Sequence, residues 1–137
     1  MGTRRQAREA ALQMLYQIEM SGIDFQAIAG DFWAGQKFKD EKLKTFVEKL
    51  VQGVLGQQKT IDQCISKHAT HWKLERMPVV DRNVLRLAVF ELKECEDIPL
   101  KVILNEAIEV AKKFGAGESS VFINGVLDKV AKELRKE

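Results

Sequence analysis

Three arginines, Arg4, Arg5 and Arg8, open the first amphipathic stretch of this chain. The first turns of a helix already carry partial positive charge, so each cation there costs roughly 0.3–1 kcal/mol. A sequence written for stability alone would place acids at these positions, and a local rule broken without visible compensation points to function. Arg4 and Arg8 are one helical turn apart and can face a single phosphate track. Contact with nucleic-acid phosphates is the chemistry open to them. The competing reading is a solvated arginine face, partly offset by Glu9.

Two further features could join that chemistry. The loop Gly115-Ala116-Gly117-Glu118-Ser119-Ser120 leads into a helix, and backbone amides at a helix start suit a phosphate. Lys113, just before the loop, and Ser119, within it, are therefore candidate RNA contacts alongside the arginines. The segment is no dinucleotide fingerprint, because no strand precedes it and the third glycine is absent; a helix–helix link with a serine cap is the competing reading. Phe122 is the second feature. At about 100° per residue it lies about 100° from the centre of the stripe formed by Ile123, Val126, Leu127, Val130 and Leu134. An aromatic so placed can stack on a base or pack against a neighbouring helix, and both readings stay open.

Other chemistries find no footing. His68 and His71 are three residues apart, but zinc wants a third protein ligand and Lys67, Ala69 and Thr70 offer none. Cys64 and Cys95 match no metal-ligand spacing and read as reduced thiols of a cytosolic protein. There is no Gly-Lys-Ser/Thr phosphate loop and no nucleophile elbow. No catalytic residue, metal or cofactor is expected, and the chain reads as a binding protein and not an enzyme. The net charge of +2, from 22 basic and 20 acidic residues, is too small to announce nucleic acid by itself, so the positive charge must be local. No signal peptide is visible, and no apolar run approaches the ~20 residues that span a bilayer.

These residues must be positioned by helices. Two prolines, Pro78 and Pro99, occur in 137 residues, and no period-two alternation is sustained. Thr3 and Gln6 form a capping box ahead of Ala7, Ala11, Met14, Leu15 and Ile18, and Ser21-Gly22 ends that helix. A short helix follows Asp24. Leu43 to Leu55 recur at three and four residues, and Gly56 stops them. Thr60 is expected to cap the next segment. Val80 to Leu92 form an amphipathic helix after Pro78, and Val102 to Phe114 another after Pro99. Ser119 or Ser120 is expected to cap the last. The fold class is all-α: a compact bundle of about six to seven helices, one domain over residues 1–137, with helical subdomains roughly 1–58 and 59–137.

Four ordered segments resemble the NusB family of bacterial transcription antitermination factors. They are Arg4 to Tyr16 (Arg-Arg-Gln-Ala-Arg-Glu-Ala-Ala-Leu-Gln-Met-Leu-Tyr), Asp81 to Leu92, Ile98-Pro99 with Asn105-Glu106-Ala107 and Ala111 to Gly115, and Phe122 to Asp128. Phe90, where a Tyr is common, and Leu104, where a smaller residue is usual, depart from the pattern. Residues 23–70 match only in helical pattern. The resemblance implies two packed helical subdomains. It also implies binding to boxA RNA of ribosomal RNA leaders, together with the small-subunit ribosomal protein NusE, in an antitermination complex on RNA polymerase. By position, Arg4, Arg5, Arg8 and Phe122 would fall on the RNA side, and Arg76 and Asp81 near the protein partner. The competing readings are the related N-terminal RNA-binding module of RNA cytosine methyltransferases and a helical scaffold that binds only protein.

Overall fold

Short polar side chains and one left-handed glycine set the helix ends. The computed structural model describes residues 3–35 and 40–135 and contains seven α-helices among them. Helix α1 (Arg4–Ser21) begins with the expected capping box: Thr3 Oγ1 accepts from the Gln6 amide, and Gln6 Oε1 accepts from the Thr3 amide. It ends at Gly22, whose φ of 74° only glycine adopts without strain. Asp24 caps α2 (Phe25–Ala34) and Asp40 caps α3 (Glu41–Gly56) through their carboxylates.

Two expected caps are absent. Thr60 lies inside α4 (Gln58–His68), which starts two residues earlier. Gln57 serves as the end of α3 and the start of α4: its amide bonds back to Gly53, and its carbonyl accepts from Ile61. The chain therefore bends at one residue instead of unwinding as far as Thr60. Likewise α7 (Ser119–Leu134) starts with Ser119 already helical and has no side-chain cap. After a single 3-10 turn (Leu74–Arg76), α5 (Val79–Glu94) and α6 (Leu100–Phe114) each begin directly after a proline.

Helix α5 is the axis of the molecule. Every residue from Asn83 to Leu92 is buried, so the helix has no solvent face. Helices α1, α3, α4, α6 and α7 all pack on it, and α2 closes over α1. One continuous apolar core results, with Met14, Leu50, Ile61, Leu85, Ile103 and Leu127 among its fully buried members. No described helix is long and apolar enough to cross a membrane.

The crossing of α3 and α5 is set by a single glycine. A Cβ placed on Gly53 would meet the ring of Phe90 at 2.2 Å. Phe90 is itself buried, so the ring cannot swing out to solvent. At Gly125, in the middle of α7, a Cβ would meet nothing within 4 Å. Helix propensity alone would favour alanine by roughly 0.8–1.0 kcal/mol at both sites. Gly53→Ala is therefore expected to destabilise by ~1–3 kcal/mol through overpacking, and Gly125→Ala to stabilise by ~0.4–1 kcal/mol. Urea midpoints of the two variants check the contrast; a stabilised Gly53→Ala would contradict the close approach.

A candidate nucleic-acid interface

The three first-turn arginines do not share one environment. Arg4 is exposed, and its guanidinium lies over the Phe46 ring at 4.3 Å from the centroid. It makes no ion pair among the described residues. Arg5, half exposed, is held in a fork by Glu106 of α6, at 2.9 and 2.7 Å. Arg8 is turned into the core, where it donates to both oxygens of Glu91 on α5; both side chains are almost fully buried. One turn of helix thus presents one arginine to solvent, one to a carboxylate at the rim and one to the interior.

The rim pair has an electrostatic signature. Hydrogen bonds from Arg5 hold the Glu106 carboxyl below its usual range, against the opposing effect of partial burial. A depressed carboxyl contributes stability that is present above its ordinary pKa and fades as pH falls through the lowered value. Further along, Lys113 of α6 reaches Glu9 of α1 at 3.0 Å. Arg5 and Glu9 are one turn apart, and Glu106 and Lys113 are seven residues apart, about 10 Å along α6. The two cross-links therefore run α1 and α6 side by side in the same direction. Thr3, Arg4, Arg5, Val102 and Glu106 line an open groove of about 610 Å³ at their start.

A second patch forms where α6 gives way to α7. Phe122 is half-buried and meets Trp72 edge-on, with ring centroids 6.0 Å apart. Trp72 is 55% exposed and Val121 70% exposed. With Met77, Pro78 and Ala116 they wall an apolar pocket of about 330 Å³. Sequence reasoning singled out Phe122 but not Trp72, which lies 50 residues away and offers no local signal.

Ser119 and Asp81 face each other instead of solvent. The Ser119 hydroxyl donates to Asp81 Oδ1 at 2.7 Å and accepts from the Ala116 amide at 3.0 Å, closing the loop before α7. Asp81, which the resemblance puts near the protein partner, is buried, and this hydroxyl at the floor of the apolar pocket is its partner. Arg76 is exposed, in the turn before α5. His71 is exposed in the turn after α4, while His68 points at Glu133 of α7. Cys64 and Cys95 are free thiols, and burial pushes both above the usual range.

The NusB family model matches residues 5–132. The chain is similar to transcription antitermination protein NusB of Myxococcus xanthus (strain DK1622), 47% identical over 139 residues and covering 99% of each chain. The NusB of Bacillus subtilis (strain 168) is 46% identical, covering 97% of this chain and 98% of the relative. Among solved structures, T. maritima NusB superposes with a TM-score of 0.89 at 39% identity, covering 96% of this chain and 92% of the other. A chain in the crystal structure of antitermination factors NusB and NusE in complex with dsRNA superposes with a TM-score of 0.87 at 26% identity, covering 95% and 96%.

Arg8 and Glu91 are both desolvated, so removing one charge strands the other. Arg8→Ala is expected to cost ~3–5 kcal/mol of folding stability. Replacing both partners with apolar residues, Arg8→Met with Glu91→Leu, is expected to recover most of that loss. Urea denaturation of the single and double variants measures the coupling; a double variant no more stable than Arg8→Ala would show that the pair is not what the single change breaks.

Proposed function

Because the chain belongs to the NusB family of transcription antitermination proteins, which are not enzymes, we propose that it binds single-stranded boxA-type RNA of ribosomal RNA leaders. It does so together with the small-subunit ribosomal protein NusE, and the pair seeds an antitermination complex on RNA polymerase. The relative solved with NusE and dsRNA supports a joint role with protein and RNA. The observation that carries the RNA reading is Arg4, a cation in the first turn of α1 with no carboxylate partner among the described residues, held out over Phe46 at the edge of the groove.

The other cations enter on different terms. Arg5 and Lys113 are paired to the largely buried carboxylates of Glu106 and Glu9, but their own charged ends reach solvent. A phosphate can bind them from the solvent side with both pairs in place. Arg8 is not available on the same terms, because its pair is buried. In this reading it fixes the start of α1 so that Arg4 and Arg5 face the groove. Phe122 and Trp72 supply a stacking surface at the far end of α6, and Ser119 shapes the loop between the cations and the aromatics. The protein-partner surface centres on exposed Arg76, with Asp81 acting from beneath through Ser119.

RNA titrations at several salt concentrations separate these roles. Each phosphate neutralised on a single strand contributes about −0.7 to the slope of log affinity against log salt. Arg4→Ala is expected to flatten that slope by about 0.7 and to leave the fold intact. An unchanged slope would remove Arg4 from the interface and leave a protein-binding scaffold as the better reading.

Phe122→Ala is expected to weaken RNA binding by about 1–3 kcal/mol, equally at low and high salt, because stacking carries little net charge. Trp72→Ala should fall in the same range. If Phe122 serves only to pack, the loss will appear as a lowered denaturation midpoint, with the affinity of the folded fraction unchanged.

A further inference from the structure

Cys64, His68 and Glu133 have ligand atoms that all lie within 4.8 Å of one another. We propose that these three side chains form a binding site for a divalent cation of the zinc class, joining α4 to α7. Cys64 and His68 are four residues apart on α4, so both project from the same face, one turn above the other. Glu133, in the last turn of α7, approaches that face from the opposite side. Along the chain, Lys67, Ala69 and Thr70 offer His68 and His71 no third ligand. The missing donors come from one turn earlier and from 65 residues later.

The spacing suits a tetrahedral ion. With Zn–S near 2.3 Å and Zn–N and Zn–O near 2.0–2.2 Å, tetrahedral angles put sulfur and oxygen about 3.6 Å apart, and nitrogen and oxygen about 3.4 Å apart. Cys64 Sγ lies 3.8 Å from Glu133 Oε2, and His68 Nε2 lies 3.1 Å from the same oxygen. These two edges match within a few tenths of an ångström, and the sulfur–nitrogen edge, which lies within 4.8 Å, closes by a side-chain shift of up to about 1 Å. Lys67 bonds the other carboxylate oxygen, Oε1, which leaves Oε2 as the ligand and orients it. The His68 side chain is 17% exposed and that of Glu133 35%, so an ion has an entry path and a water can take the fourth position.

The donor set decides the class of cation. One thiolate, one imidazole and one carboxylate favour zinc and its neighbours over magnesium or calcium, which want oxygen ligands. Binding must expel the thiol proton. Burial and the Glu133 carboxylate push the Cys64 thiol up, while Lys67 on α4 and Lys93 on α5 pull it down.

The test uses the full chain, reduced and freed of metal with a chelator. Calorimetry with zinc chloride is expected to give one ion per chain, and cobalt(II) to give a near-ultraviolet thiolate charge-transfer band that zinc abolishes and magnesium leaves unchanged. Cys64→Ser is expected to remove the band. Each of Cys64→Ser, His68→Gln and Glu133→Gln should weaken zinc binding at least ten-fold, and His71→Gln should leave it unchanged. Zinc should raise the Tm of the unaltered protein but not that of Cys64→Ser. Full zinc affinity in Cys64→Ser or His68→Gln would overturn the proposal. Should a variant fail to fold, the cobalt band of the unaltered protein decides alone, and its absence overturns the site.

Discussion

A helix with no face toward water must have every polar group satisfied by its neighbours, and α5 is that helix. It carries Asp81, Asn83, Arg86 and Glu91 in buried positions. An unmet polar group at such depth would cost ~1–3 kcal/mol, and more if charged. Helices α1, α4 and α7 therefore dock on it through polar contacts as well as apolar ones. Helix α1 supplies Arg8 to Glu91 at one end, and Glu19 to Arg82, Asn83 and Arg86 at the other. Helix α4 supplies Asp62, which accepts two bonds from Arg86 at 2.8 and 3.0 Å. Helix α7 supplies Ser119 to Asp81, and Arg135 just beyond it takes the carbonyls of Glu91, Leu92, Cys95 and Ile98. No buried side-chain nitrogen or oxygen among the described residues is left without a partner. Apolar packing alone would let these helices slide; the polar contacts fix their register.

The proposed binding face inherits its geometry from that register. Arg8 pins the first turns of α1 against α5, and this aims Arg4 and Arg5 along the rim shared with α6. The Ser119–Asp81 contact pins the start of α7, and this sets Phe122 against Trp72. Both ends of the face thus rest on polar groups of the same central helix. A chain with a net charge of +2 can still offer RNA local positive charge, because Arg4 at the groove has no carboxylate partner among the described residues. The rim pairs keep Arg5 and Lys113 oriented with their solvent-facing side open to phosphate.

Much of this architecture is local and so could be read from the chain. Thr3 with Gln6, the Ser21-Gly22 stop and the apolar stripes of α3, α6 and α7 depend on residues a few positions apart. The NusB resemblance rested on such contiguous segments. What resisted reading depends on distance in sequence. Arg5 and Glu106 are 101 residues apart, and Arg8 and Glu91 are 83 apart. Nothing local says that one first-turn arginine faces outward and another inward. The same holds for Asp81: a first-turn acid reads as a solvated charge until Ser119, 38 residues on, is seen to bond it. The missed cap at Thr60 has a different origin, since a threonine in a first helical turn and a threonine just before it look alike in sequence.

Backbone amide NMR during titration with a short boxA RNA tests the central claim most directly. If α5 positions a continuous face, perturbations will follow one path: the first turns of α1, the groove-lining part of α6, Lys113, the loop to Ser119, and the turn carrying Trp72 with Phe122. Helix α2 and the outer face of α3 will stay unchanged. Perturbations concentrated on α2 and α3, with the α1 start and the Phe122 region silent, would contradict the account.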